Sequence, residues 1–489
     1  MSSYIGNRGY TIFKNTLTEE EETKIKTDLC VKPYVPKLTN QKVNPFPIYR
    51  ESGTKYYLPK FYGLQNFQNN IENNLSKYET CDPKLTFKGE LRPYQDNIVS
   101  KYISSVERDA KGGLLEIDTG MGKTVMALNI LSKLNVKTII IVHKEFLMNQ
   151  WIERIEEFIP DARVGKIQGK ILDIENKDIV LAMLQTLCSK DYAPTMFQCF
   201  GLTIIDEVHH MGAEVFSQAF GKVVTHYTLG LSATMKRKDG LTKVIKMFLG
   251  DVVYKKERKG CDYVKVKVIN YEIDDDDFNE VLLNWKGQTH YSKMIKKICE
   301  FNKRSEFILK VLSDIIKKDN NCQVMILAHN KSILKYLYDA IKDRNIESVG
   351  YYVGGMKAKD LKISEGKRII IATYAMAEEG LDIKTLTTLL MATPRVSVAQ
   401  AVGRILRKKH ENAEVYDIVD QHNIFQRHWT KRRAFYKKQN FKIYKTTNKD
   451  YENNKWECIY DKTTGIKLNK KNTKNKADKL LKGVCLIDF

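Results

Sequence analysis

The stretch Ile117-Asp-Thr-Gly-Met-Gly-Lys-Thr124 constrains this chain more than any other. It follows a short apolar run, Gly113-Leu-Leu-Glu-Ile117, and opens a helix-like one, Val125-Met-Ala-Leu-Asn-Ile-Leu131. Strand, glycine loop and helix in that order make a phosphate cradle. Gly120 and Gly122 let the backbone approach an anion, the loop N–H groups point at it, and the helix N-terminus adds its dipole. In the pattern G-x-x-x-x-G-K-[ST], Lys123 reaches the β/γ-phosphates and the Thr124 hydroxyl ligates Mg²⁺. The usual first glycine is Ile117 here, so the tight turn falls on Thr119-Gly120-Met121-Gly122. A surface turn that holds Gly-Lys-Thr by chance is the competing reading, and the flanking strand and helix argue against it.

At 489 residues the chain is long enough for two or three domains. It has no apolar run long enough to span a membrane, and its first residues lack an apolar signal core, so neither a membrane span nor secretion is expected. The nine cysteines stand singly with no C-x-x-C pair, which speaks against structural zinc and a disulfide framework. A reducing compartment, cytoplasmic or nuclear, fits that usage. The formal charge of +22 favours a polyanionic partner, with solubility alone as the plain alternative. The excess is uneven: Gln421 to Phe489 holds 18 Lys+Arg against 6 Asp+Glu, or +12.

Residues 1–85 read as a small β-rich accessory module, with Ile48–Glu51 and Lys55–Pro59 as strands broken by turns. Leu91-Arg92-Pro-Tyr-Gln95 then precedes a helical stretch from Asp96 to Arg108. A glutamine amide in this place can read adenine through its donor and acceptor, or it can simply begin a helix. Continuous apolar runs follow at Thr138–His143, Asp178–Met183 and Gly201–Asp206, with helical segments between and after them. Such alternation means an α/β fold, a parallel sheet covered on both faces, with ligands at the carboxyl ends of its strands. Asp206-Glu207 ends one run; Asp206 suits Mg²⁺ held through water, and Glu207 suits the water that attacks a phosphate. His209 and His210 follow, too few for a zinc site without other ligands. His209 is expected to couple the nucleotide site to a neighbouring domain, and Ser232 and Thr234 at the end of His226–Leu231 to do the same; ordinary loop residues are the alternative. A phosphate-facing turn or a solvated loop are equal readings of Lys236-Arg-Lys238.

A second α/β block is expected from strands at 323–328, 348–353, 368–372, 388–391 and 413–418, after a linker at 256–295. Its informative segments are Ala372-Thr373-Tyr374, Glu379-Gly380-Leu-Asp382 and Gln400-Ala-Val-Gly-Arg404-Ile-Leu-Arg407. Arginines three apart share a helix face and can reach a γ-phosphate, where one arginine contributes about 10³–10⁵ in rate; surface ion pairs are the alternative.

With these pieces in order, residues 88 to 425 resemble a superfamily 2 helicase of two RecA-like domains. The matching signatures are Gln95, the loop through Lys123 and Thr124, His143-Lys144, Gln185-Thr186, Asp206-Glu207-Val-His209, Ser232-Ala-Thr234, Gly380-Leu-Asp382, and Gln400 with Arg404 and Arg407. The resemblance implies two tandem RecA-like parallel-sheet domains, at 86–255 and 296–425, between the accessory module and a basic extension at 426–489. It implies ATP and Mg²⁺ as cofactors, with Arg92, Gln95, residues 119–124, Gly380 and Asp382 on the nucleotide. Lys123, Asp206, Glu207, Gln400, Arg404 and Arg407 are then catalytic. His143, Lys144, Gln185, Thr186 and Thr373 are expected to touch nucleic acid.

Asp-Glu-Val-His differs from the Asp-Glu-Ala-Asp RNA chaperone group, and Leu91–Gln95 with Gln150-Trp151 look more like repair-type DNA translocases. Gly9–Ile12, Val31–Pro33, Tyr49–Ser52 and Phe61–Gly63 are similar to the transcript-release helicases of poxviruses and other large DNA viruses. DNA is the expected polymer. An RNA helicase, a duplex translocase that releases transcripts or proteins without separating strands, and a silent binding subunit are the alternatives. Transcription or replication machinery is the expected company, and a viral factory or virion the expected place if the source is viral. In the tail, Lys431-Arg432-Arg433 are expected on phosphates. Trp429, Phe435, Tyr436, Phe441, Tyr444 and Trp456 stand either on unpaired bases or in the core of a small subdomain.

Overall fold

Each apolar run of the sequence is divided between two cores, one on either face of its sheet. In the computed structural model Ile139 and Ile141 enter one cluster and Ile140 and Val142 another, and Val180 and Leu181 separate in the same way. Side chains of a strand alternate faces, so a run with no polar residue must be covered on both sides. The structure describes residues 3–34, 44–67, 71–108, 111–193, 195–210, 213–235, 239–258, 260, 263–379, 383–405 and 413–467. The chain divides into two compact units, Met1–Glu257 and Arg258–Phe489.

In the first unit the main sheet runs, in order, Ile171–Leu172, Val164–Gln168, Ile179–Met183, Thr138–Val142, Leu202–Ile205, Tyr227–Ser232, Gly112–Ile117 and Val252–Lys256. All neighbours are parallel except the terminal Ile171–Leu172 pair. The helix Pro93–Arg108 has proline at its first position, where a missing N–H costs nothing. Lys123–Leu134 and Glu145–Phe158 follow the strands that the sequence led us to expect.

In the second unit the order is Val349–Tyr352, Ile369–Thr373, Val324–Ala328, Thr388–Met391, Glu414–Asp420, Lys265–Tyr271, Lys442–Thr447, Glu457–Asp461 and Ile466–Lys467. The first seven are parallel and the last two antiparallel. The stretch 256–295, expected as a linker, thus contains the strand Lys265–Tyr271, flanked on both sides within this sheet. Residues 442–467, expected in an extension, supply three more of its strands.

The N-terminal residues form a five-stranded sheet ordered Arg50–Glu51, Lys55–Leu58, Gly9–Phe13, Ser3–Gly6 and Glu72–Asn73. Its Tyr10, Ile12, Tyr56 and Leu58 share one apolar cluster with Phe216, Phe220, Phe248 and Leu249 of the neighbouring α/β layers. Lys60 pins that contact. Its ammonium nitrogen is buried and donates to the carbonyls of Thr225 (3.3 Å) and His226 (2.8 Å). Burial, with Lys111 nearby, pushes Lys60 down from 10.5 to about 7. Between those values the unfolded chain holds a proton that the folded chain has released, so folding gains stability as pH rises. Relative to Lys60→Met, the wild-type chain gains roughly 3 kcal/mol in stability between pH 7 and pH 10. Parallel urea titrations of both proteins across that range measure the difference; a flat difference means that Lys60 is charged when folded.

Candidate functional site

The phosphate loop hangs between the strand Gly112–Ile117 and the helix Lys123–Leu134. Gly120 and Gly122 have φ of +78° and +82°, the left-handed region that glycine enters without strain. A side chain at Gly122 would also meet Gln95 Nε2 at 2.3 Å. That contact shows how Gln95 is used. Its Nε2 donates to Met121 O at 3.1 Å, its Oε1 accepts from Arg92 N at 2.9 Å, and Tyr94 OH donates to the same Met121 carbonyl. The amide therefore braces the glycine turn through both its donor and its acceptor.

Two carboxylates meet the loop from the end of Leu202–Ile205. They are adjacent in sequence yet serve different partners, because Glu207 takes φ +49° and turns away from the strand direction. Asp206 Oδ2 accepts from the indole of Trp151 at 3.0 Å, while its Oδ1 caps Glu207 N at 2.9 Å. Glu207 Oε1 accepts from Lys123 Nζ at 3.2 Å; among the described residues Oε2 accepts no hydrogen bond. Burial, with Glu207 beside it, pushes Asp206 up to about 6. Burial acts on Glu207 too, but the Lys123 ammonium paired with it outweighs burial and holds that carboxyl down at about 2. In this state Glu207 is a weak base. Phosphate oxygens in the loop would draw the Lys123 ammonium away and leave the carboxylate free to take a proton from water.

From Glu207 the polar contacts continue to the Ser232-Ala-Thr234 turn. His209 Nδ1 lies 3.4 Å from Glu207 Oε2 and 2.7 Å from Ser232 Oγ. Ser232 Oγ donates to Thr234 O, so the Nδ1 proton points at the serine oxygen. Burial pushes His209 down to about 3, which keeps its imidazole neutral. The His209 and His210 rings lie 4.0 Å apart, and the His143 ring lies 5.7 Å from His210.

The family model described as Type III restriction enzyme, res subunit, matches residues 88–237, the span that carries all of these groups. An Acanthamoeba polyphaga mimivirus protein named as an ATP-dependent RNA helicase, L396, is 35% identical over 470 residues, covering 93% of this chain and 89% of that one. This chain belongs to the superfamily 2 helicases. A protein named as helicase 161L, from Invertebrate iridescent virus 6, is 29% identical over 402 residues, with 78% of this chain and 88% of its own covered. The DNA 3'-5' translocase XPB2 of Sulfurisphaera tokodaii is 26% identical over 388 residues, covering 69% and 83%. The helicase is thus an ATP-dependent enzyme that acts on nucleic acid. No helix among its described residues is long and apolar enough to cross a membrane.

The remaining expected residues are distributed unevenly. His143 and Lys144 follow the strand Thr138–Val142, and exposed Gln185 donates to His143 O at 2.9 Å. Both His143 ring nitrogens are buried and, among the described residues, meet no hydrogen-bond partner, and burial pushes the ring down to about 4. The Thr186 hydroxyl is buried and accepts from Gly169 N at 3.0 Å, so it ties its helix to the turn after the strand Val164–Gln168. In the second unit Thr373 ends the strand Ile369–Thr373, and Gln400 lies on the helix Ala399–Ile405. Arg404 is buried, with its guanidinium on the carbonyls of Ala377 and Glu378. Residues 236–238, Gly380, Asp382 and Arg407 lie outside the described residues.

Arg432 is not placed to touch nucleic acid. Its side chain is fully buried and paired twice with Asp417, Nε to Oδ2 at 2.8 Å and Nη2 to Oδ1 at 2.9 Å. Trp429, Tyr436 and Phe441 are likewise core, whereas Lys431 is exposed. Sequence reading also missed Trp151 as a site residue: nothing local reveals that an indole will meet a carboxylate 55 positions away.

Two expectations follow for the enzyme. Lys123→Ala abolishes ATP hydrolysis and weakens nucleotide binding, whereas Glu207→Gln keeps binding and lowers the hydrolysis rate by about 10²–10⁴. Nucleotide-binding and phosphate-release measurements on folded variants separate these outcomes. Arg432→Ala destabilises the fold by about 3–5 kcal/mol, since it strands the buried Asp417 charge, while Lys431→Ala stays within about 0.5 kcal/mol. Chemical denaturation of each variant reads the contrast.

Proposed function

We propose that this helicase moves along DNA, driven by hydrolysis of ATP as its Mg²⁺ complex. One observation carries the motor reading: Lys123 and Glu207 are paired at 3.2 Å beside a glycine turn with φ of +78° and +82°. That pair is ready to be parted by a triphosphate. What supports DNA is the resemblance of the Gln150-Trp151 pair to repair-type translocases, together with the likeness to a chain named as a DNA translocase.

Thr124 and Asp206 would hold the magnesium ion, and the fit is chemically sound. Both offer oxygen donors, and the Asp206 carboxylate is buried beside the Lys123–Glu207 pair. Mg²⁺ prefers that situation, one carboxylate and a hydroxyl completed by phosphate oxygens and water. The bound ion would neutralise charge on the phosphates; Lys123 positions them and Glu207 orients the water. Gln400, Arg404 and Arg407 are proposed as catalytic, with Arg92, Gln95, residues 119–122, Gly380 and Asp382 on the nucleotide. His209, Ser232 and Thr234 are proposed as coupling residues, and His143, Lys144, Gln185, Thr373, Lys431 and Arg433 as contacts to the polymer. The proposed division of the chain is an accessory module to residue 85 and RecA-like domains at 86–255 and 296–425, the second with its sheet completed by the strands of 265–271 and 442–467.

A second reading, an RNA substrate, is favoured by the name of the mimivirus relative. ATPase titrations with single-stranded DNA, duplex DNA and RNA at one fixed salt decide between them, because phosphate-driven binding weakens steeply with salt. DNA is expected to stimulate hydrolysis at lower concentration than RNA. Stronger stimulation by RNA overturns the choice of polymer, and no stimulation by any polymer overturns the motor.

A further inference from the structure

One aromatic side chain in the second unit is displayed rather than buried. Trp285 is 85% exposed, at the tip of the turn Leu283–Thr289, and Val281 and Leu283 beside it are 46% and 53% exposed. Trp151 and Trp429 are buried, and Trp456 packs against a core. An exposed indole on a slack loop would say little, but this turn is closely bonded. Leu283 and Thr289 form an antiparallel bridge. Asn284 N donates to Gln288 O at 2.7 Å, and Gly287 N to Asn284 O at 3.0 Å. Asn284 Oδ1 accepts from Lys286 N at 2.9 Å and from Gln288 N at 3.0 Å. Gly287 supplies the φ of +72° that closes the turn. Its base is anchored as well: His290 N donates to Leu282 O at 2.7 Å, and Leu282 N to Met294 Sδ at 3.3 Å. Met294 is fully buried in the following helix, Tyr291–Glu300.

We propose that this turn is a stacking post for unpaired bases of the nucleic acid on which the helicase acts, with Trp285 as the contact. The proposal rests on the assignment of the chain as a nucleic-acid motor. Lys286 Nζ stands 4.5 Å from the indole centroid, over one face of the ring, and the opposite face is left for a base. From Val281 to Lys297 the sequence holds Lys286, Lys293, Lys296 and Lys297 and no carboxylate. The first three are exposed; Lys297 is bound to Glu280, and Lys296 lies 3.7 Å from Glu300. An apolar protein partner would match Val281, Leu283 and Trp285 but not this lysine series, whereas a strand with bases and phosphates matches both. The closed turn fixes the backbone that carries the indole, so less ordering remains to be done when a base arrives.

The test uses the full chain with oligothymidylate, oligouridylate and an abasic strand of equal length, at fixed salt. Trp285→Ala is expected to weaken binding of either base-bearing strand by about 5–100-fold, the span of base–aromatic stacking, and to leave abasic binding unchanged. Trp285→Phe retains most of the affinity, and wild-type tryptophan emission is quenched by base-bearing strands only. Equal loss on abasic and base-bearing strands overturns the proposal in favour of a structural role. Unchanged binding of all strands also overturns it and points to a protein partner. Failure of the motor assignment reads differently: the wild type would then show no polymer-stimulated ATP hydrolysis, whatever Trp285 does.

Discussion

The ion pair between Lys123 and Glu207 is the contact on which the rest of the site depends. It closes a ring of constraints: the glycine turn positions the lysine, the left-handed backbone at Glu207 aims its carboxylate, and Trp151 holds Asp206 to the other side. A non-glycine residue with positive φ costs about 1 kcal/mol or more, and such strain persists only where the surroundings enforce it. Here it separates two neighbouring carboxyl groups into different environments. Burial pushes Asp206 up while Lys123 holds Glu207 down, so adjacent acids of similar intrinsic strength are set to different tasks.

Around that site the fold is stiffened by buried polar groups at places where layers join. Lys60 fastens the N-terminal sheet to backbone carbonyls of the first α/β layers. In the second unit Arg304 pairs with Asp420 and Arg432 with Asp417, both pairs essentially inaccessible to water. Pairs of this kind add little net stability compared with apolar replacements, but either half alone is costly. They tie the helices Asn302–Lys318 and Asn423–Lys438 to one strand, Glu414–Asp420, in one register.

Much of this was legible beforehand. The strands Thr138–Val142, Ile179–Met183, Leu202–Ile205 and Val324–Ala328 were readable because central parallel strands need apolar residues on both faces. Lys265–Tyr271 was not, because its alternating lysines look solvated. Lys267 in fact meets Glu414, at 3.1 Å, and the rings of Tyr416 and Trp456. Arg432 misled for a related reason: Lys-Arg-Arg reads as surface, yet Phe425, Trp429, Arg432 and Tyr436 lie on one helix face at spacings of four, three and four, all of them buried. That periodicity was the available signal.

The sequence alone determined the two α/β blocks, the phosphate loop and the carboxylate pair, since each depends on residues close together in the chain and on backbone chemistry that few residue types allow. Only the tertiary structure decided which charges are paired and buried, that an indole supports Asp206, and that the segments flanking the second block complete its sheet. Those outcomes depend on partners tens to hundreds of positions apart, and local pattern carries no record of which distant group will arrive to satisfy a charge.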